Sequence, residues 1–189
     1  MRLEYVWLDC HNQLHSKVRV MKFLNETDVS QYDGCFSNDT THKEIQLTPK
    51  KLIKNPFSKD DYIVLCDTHF YDDDNKLLPH YSNTRHFCEK EFRLHPKGIE
   101  FEFQQDFYIM DSETRKPYGK SFGLSDNKNY CKVGNGYIHG REIINSVFTY
   151  CENVDIHIHE VCAGNGPSQW TFCVKGTDID AADQLVLLR

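Results

Sequence analysis

The sequence predicts an α+β protein whose first part is rich in strands, and three patterns carry that prediction. Apolar residues alternate through "IEFEFQQDFYIMD", with Ile99, Phe101, Phe103, Phe107 and Ile109 on one face and Glu100, Glu102, Gln104 and Asp106 on the other. A period of two belongs to a half-buried strand. The stretch "REIINSVFTYCE", Arg141 to Glu152, instead puts Ile143, Ile144, Val147, Phe148 and Cys151 on one stripe, the spacing of an amphipathic helix. At the start, "LEYVWLD" and "HSKVRVMKF" flank Cys10 to Leu14 and read as a hairpin.

The remaining elements follow in order. "QYDGCFSNDTTHKE" is a polar loop with a turn at Asp33-Gly34. "EIQLTP" and "DYIVLCDTHFYD" are strands by β-branched content and alternation. Asn83 or Thr84 caps a helix through "RHFCEKEFRL". After the strand from Ile99 and the helix from Arg141, "VDIHIHEV" and "SQWTFCVKG" return to strands. His157 and His159 fall on one strand face, a pairing able to hold zinc if a third ligand is fixed nearby.

Bulk properties narrow the function. The 189 residues are 39% hydrophobic and 13% aromatic, enough for a real core. A net charge of −6 with scattered Lys and Arg gives no footprint for nucleic acid or an anionic membrane. No run approaches the roughly 18 apolar residues of a membrane span, and "MRLEYVWLDC" lacks a signal-peptide core, so a cytoplasmic location is expected. The 8 cysteines contain no C-x-x-C pair and sit within apolar patterns, which fits reduced, packed thiols better than a disulfide scaffold.

Seven stretches, in order, resemble glutamine synthetase of the eukaryote-like type. "EYVWLDCHNQLHSKVRV" is similar to that family's opening hairpin, and "YDGCFS" to its D-G-S-S latch. "NPFSKDDYIVLCDTHFYD" resembles the D-P-F…LVLC-E strand, and "NTRHFCEKEF" the N-x-R-H helix start. "NYCKVGNGYIHGREI" is similar to Y-Y-C-x-V-G…Y-G-R-D-I, and "GPSQWTF" to M-P-x-Q-W-E-F. The strand "FEFQQDF", similar to the family's E-Q-E metal strand, is the seventh. The resemblance implies a β-grasp domain over residues 1–79, followed over 80–189 by the first part of a catalytic domain whose C-terminal half is missing. It also implies ring assembly, with each active site between one subunit's latch and its neighbour's catalytic domain. The family's reaction uses ATP to make a γ-glutamyl phosphate that ammonia then displaces. Divalent ions neutralise the transferring phosphoryl group, which calls for converging carboxylates.

Carried over residue by residue, that chemistry is damaged. The family's E-Q-E strand aligns with "FEFQQDF" and puts Gln104 and Asp106 at its glutamates. Gln104 offers only a carbonyl oxygen, and Asp106 is one methylene shorter, about 1.5 Å less reach. An alternative register makes Glu100 and Glu102 the ligands; an even shift keeps the same strand face. The glutamate of N-A-E-V falls on Gly164 and that of Q-W-E on Thr171, while Glu160 replaces the former only through a compensating gap pair. Asp33 occupies the latch position, now idle. The resemblance therefore implies a glutamine synthetase-like protein without ligase activity, acting as an interaction protein or standing as a remnant. Its expected partners are glutamine synthetase-like subunits or itself. Two alternatives stand beside it: part of an active ATP-dependent glutamate–ammonia ligase completed by another subunit, and a divalent-metal-binding protein. No cofactor is expected, beyond Mg or Mn should a site survive.

Overall fold

The computed structural model describes residues 1–22, 44–95, 98–119, 129–134 and 138–189, together with the backbone of 35–38. Asp33 lies outside the described residues. The protein is mixed α+β and divides into two compact units, Met1–Pro96 and Lys97–Arg189.

In the first unit, β1 (Arg2–Leu8) and β2 (Leu14–Val20) form the hairpin anticipated from their alternation. Its turn is closed by Asp9, whose Oδ1 accepts from the backbone N–H groups of His11 and Gln13, both at 2.8 Å. Three further strands, β3 (Cys35–Asn38), β4 (Glu44–Lys54) and β5 (Tyr62–Tyr71), complete the order β2-β1-β5-β4-β3, and short β6 (Leu77–Pro79) pairs with the far end of β5. β1 and β5 run parallel, and the other neighbours are antiparallel. β4 is longer than "EIQLTP" alone suggests, because its register shifts between Pro49 and Lys51 and pairing resumes. Proline has no N–H to give the ladder, so a bulge is the expected accommodation.

Alternation decides which side becomes core. Leu3, Tyr5 and Trp7 of β1 pack with Ile45 and Leu47 of β4 and with Tyr62, Val64 and Cys66 of β5. Burying such side chains contributes roughly 1.5–3 kcal/mol each, set against the entropy of ordering them. The helix α1 (Thr84–Leu94) starts where its cap was expected, with Asn83 Oδ1 accepting from His86 N at 3.0 Å.

In the second unit, β7 (Phe101–Tyr108), β8 (Glu160–Ala163) and β9 (Gln169–Gly176) form an antiparallel sheet in the order β7-β9-β8. The expected amphipathic helix appears as α2 (Arg141–Glu152). Its Ile144 joins Ile138, Ala163, Trp170 and Phe172 in the core, with Val147 packed against them. Gly140 precedes it at φ +86°, where a Cβ would lie 2.5 Å from Ile109 Cδ1, so both conformation and space require glycine. Trp170 is fully buried and its indole N–H donates to His139 O at 2.9 Å.

Several features depart from what the sequence predicts: β3 falls inside the stretch expected to be a polar loop, because it pairs with β4 over Glu44–Leu47, and β6 lies outside every expected element. "VDIHIHEV" becomes strand only at Glu160. Before it, Val154 N and Ile156 N both turn back to Cys151 O, at 3.1 and 3.0 Å, with Asp155 at φ +58°. His157 N then donates to Gln184 Oε1 at 2.7 Å instead of to a neighbouring strand. A further unexpected element is α3 (Ile179–Leu188), capped by Asp178 and packed on β9 and β7.

Candidate functional site

One face of the second sheet is apolar and covered, and the other carries the polar row. Register fixes who meets whom: Glu102 lies opposite Lys175, Gln104 opposite Cys173, and Asp106 opposite Thr171. On the other side of β9, Glu160 lies opposite Cys173 and Cys162 opposite Thr171. These residues therefore project from the same face of three strands.

Over this face lies an open concavity of about 220 Å³. Gln104, Asp106, Gly164 and Thr171 all line it, so the positions singled out in sequence as lost or altered metal ligands converge on one space. Glu160 lines it too, as do Tyr130, Cys162, Asn165, Gln169 and Cys173. Glu100 and Glu102, the ligands of the alternative register, are not among its lining. Tyr130 and Asn165 were missed as site residues. Both come from segments outside the strands, and only the Y-Y-C resemblance at Tyr130 offered a signal.

The local interactions are those of a self-satisfied polar surface. Thr171 Oγ1 donates to Asp106 Oδ1 at 2.5 Å, so a hydroxyl occupies one oxygen of the Asp106 carboxylate. Glu102 accepts from Cys173 Sγ at 3.0 Å and Gln104 Nε2 at 3.2 Å, and pairs with Lys175 Nζ at 3.3 Å. The thiol bond first, then Gln104 and Lys175, draw the Glu102 carboxyl down to about 2. Burial, reinforced by the Glu102 carboxylate, pushes the Cys173 thiol up to about 11. Burial also raises Cys162, helped by the neighbouring Cys131 thiol.

The turn at the lip of the concavity is as tightly used. Gly164 N donates to Gln169 O at 2.8 Å and Gly166 N to Gln169 Oε1 at 2.8 Å. At Gly164 a Cβ would stand 2.6 Å from Gln169 Cδ. The space beside Gly164 is thus filled by a neighbour's side chain. His157 and His159 are exposed residues ahead of β8, and the metal-capable cluster found among the described residues does not include them.

No protein-family model matches the sequence. Individual proteins do. A putative glutamine synthetase of Acanthamoeba polyphaga mimivirus is 28% identical over 200 residues, covering 99% of this chain and 56% of that protein. The glutamine synthetase of Saccharomyces cerevisiae is 30% identical over 197 residues, covering 98% of this chain and 52% of its own length. That of Yarrowia lipolytica is 27% identical, covering 98% and 53%. The chain is glutamine synthetase-like from end to end. It spans about half the length of the curated relatives it matches. Among the described residues no helix of this glutamine synthetase-like chain is long and apolar enough to cross a membrane.

Proposed function

We propose that this is a glutamine synthetase-like protein without glutamate–ammonia ligase activity of its own, which works by associating with glutamine synthetase-like subunits or with a second copy of itself in the cytoplasm. The carrying observation is the 2.5 Å hydrogen bond from Thr171 Oγ1 to Asp106 Oδ1. Phosphoryl transfer needs divalent ions held by several converging oxygens, and these ions neutralise charge that develops in the transition state. Here the cross-strand partner of the remaining carboxylate is a hydroxyl donor, Gly164 brings no side chain, and Gln104 brings no charge. A hydroxyl committed to Asp106 competes with a cation for the same lone pairs.

The partner side of the proposal draws on the first unit. Its mixed sheet, with β1 and β5 parallel at the centre of flanking antiparallel strands, supports reading it as a β-grasp domain, the element that meets a neighbouring subunit in the resembled family. The resemblance implies domains at 1–79 and 80–189, while the first compact unit runs on through α1 to Pro96. The test has two arms. The purified chain, given ATP, glutamate, ammonia and Mg or Mn, is expected to form no glutamine above a protein-free blank. Native mass, measured alone and with a full-length fungal glutamine synthetase, is expected to show assemblies containing the chain. Turnover by the chain alone overturns the first part, and a monomer indifferent to the added enzyme overturns the second.

A second reading rests on Asp106 and Glu160 lining the same concavity. Two carboxylates with Gln104 form an oxygen-rich set suited to Mg or Mn. Calorimetric titration of Mn, compared with an Asp106→Asn/Glu160→Gln variant, tests it: heat that persists in the variant removes this reading.

A further inference from the structure

We propose that Asp67, His69 and His86 form a transition-metal site of the zinc type in the first unit, separate from and independent of the reading above. One ligand atom from each of the three lies within 4.8 Å of the others. Two imidazoles and one carboxylate at that spacing suit Zn²⁺ or Co²⁺ over Mg²⁺, and leave a fourth position for water or an exogenous ligand.

The sequence builds this cluster from two elements. Asp67 and His69 are two apart on β5 and so share a face. His86 lies in the first turn of α1, and that turn is tied directly to β5. Asn83 Oδ1 accepts from His86 N at 3.0 Å while Asn83 Nδ2 donates to Thr68 O at 2.9 Å. One buried cap thus sets the position of the helix-borne ligand relative to the strand-borne pair.

Each ligand is also prepared by its surroundings. His69 Nδ1 meets Thr48 Oγ1 at 3.0 Å, which orients the ring and leaves Nε2 as its metal-facing nitrogen. The His69 and His86 rings are edge-on, with centroids 6.0 Å apart. The Asp67 side chain is fully buried, and among the described residues its Oδ2 has no hydrogen-bond partner, its one compensation being an ion pair with Lys50. Its nearest cation is Lys50 Nζ at 3.4 Å, while Arg85 Nη1 lies 3.4 Å from Oδ1. Both cations also reach Glu89, at 3.7 and 3.5 Å. When Asp67 turns to a metal, Glu89 keeps them compensated. Burying a carboxylate with one oxygen lacking a hydrogen bond is costly, and a metal ion satisfies it.

The experiment uses the full chain with Zn²⁺, Co²⁺ and Mg²⁺ in calorimetry, and visible absorption of the Co²⁺ form. One Zn²⁺ per chain is expected, with no heat from Mg²⁺ at this site. Co²⁺ is expected to give four- or five-coordinate bands without the strong near-ultraviolet band of a thiolate ligand. His69→Ala and His86→Gln are each expected to weaken Zn²⁺ at least as much as the roughly tenfold typical of losing an outer-shell partner. Asp106→Asn/Glu160→Gln is expected to leave it unchanged. In the unaltered chain, Zn²⁺ is expected to shift the ring resonances of His69 and His86 specifically, a readout that does not depend on a variant folding. Failure to bind Zn²⁺, resonances of these two rings that do not move, Zn²⁺ binding that survives both histidine variants, or a thiolate band with Co²⁺ would each overturn the proposal.

Discussion

Thr171 Oγ1 donates to Asp106 Oδ1 across the β7–β9 ladder at 2.5 Å, where the two residues are directly paired. Replacing that donor with the acid of the resembled family sets two carboxylates opposite each other. Thr171→Glu is therefore expected to lower the melting temperature in metal-free buffer, since it loses a hydrogen bond of about 1 kcal/mol and adds like-charge repulsion of up to about 1 kcal/mol. Mn²⁺ at millimolar concentration is expected to recover more stability in the variant than in the parent chain. Equal Mn²⁺ shifts in both, by thermal melting, would show that Thr171 does not oppose metal binding.

Glu102 gives the same face a pH signature. Its carboxyl is drawn from an ordinary 4.5 to about 2, chiefly by the Cys173 thiol and then by Gln104 and Lys175. A folded value below the unfolded one means the contribution is fully present above about pH 4.5 and disappears as pH falls towards 2. Glu102→Gln removes it. The difference in urea midpoint between parent and variant is expected to be constant from pH 7 to 5 and to shrink below that. A difference that stays constant down to pH 2.5 would show that the network is not formed in solution.

The thiols sort by burial in the opposite sense. Burial pushes both Cys151 and Cys173 up to about 11 from an ordinary 9. For these groups the raised folded value means their contribution is complete below pH 9 and is lost as pH climbs through 11. Thiolate is the reactive form, so alkylation at pH 8 is expected to label exposed Cys88 and Cys131 first, and Cys151 and Cys173 only on unfolding. Peptide mass mapping of a time course reads the order directly.

Local patterns made some of this legible and could not reach the rest. The strand at 101–108 and the helix at 141–152 were visible because their apolar residues repeat at 2 and 3.6. Asn83 was visible because a cap is a local event. α3 was hidden because Asp183 and Gln184 face inward, where Gln184 Oε1 accepts from His157 N; its stripe is interrupted by polar residues with buried work. The candidate site divided the same way. Gln104 and Asp106 follow from alternation and resemblance. Their neighbours Cys173 and Tyr130 depend on cross-strand register and on a separate segment, which no window of sequence contains. Asp67, His69 and His86 were likewise out of reach, since a helix start must return to a strand about fifteen residues earlier.

That return rests on Asn83, which is almost fully buried and bonded through both ends of its amide. Asn83→Ala deletes the cap and one of the two hydrogen bonds at Thr68 O, which still accepts from His80 N at 3.0 Å. A loss of about 1–2 kcal/mol is expected, read as a lower urea midpoint. Asn83→Asp keeps the cap acceptor but not the amide donor, and is expected to fall between the two. If both variants match the parent, α1 is not held to β5 by this residue.

Gly164 shows how an added side chain collides with a neighbour already in place. A Cβ there would meet Gln169 at 2.6 Å from Cδ, 2.7 Å from Cγ and 2.9 Å from Oε1. The Gln169 side chain cannot simply leave, because its Oε1 accepts from Gly166 N at 2.8 Å and closes the β8–β9 turn. Even Gly164→Ala is therefore expected to cost about 1 kcal/mol, the worth of the hydrogen bond it displaces. Gln169→Ala loses the same bond by truncation. The two changes share one cause, so the double variant is expected to be less destabilised than the sum of the singles. Gly164→Glu adds a charge to the same collision and is expected to be the least stable of the set. Additive effects in the double-mutant cycle, measured by urea unfolding, would mean that Gln169 yields freely and that the concavity has room for the missing carboxylate.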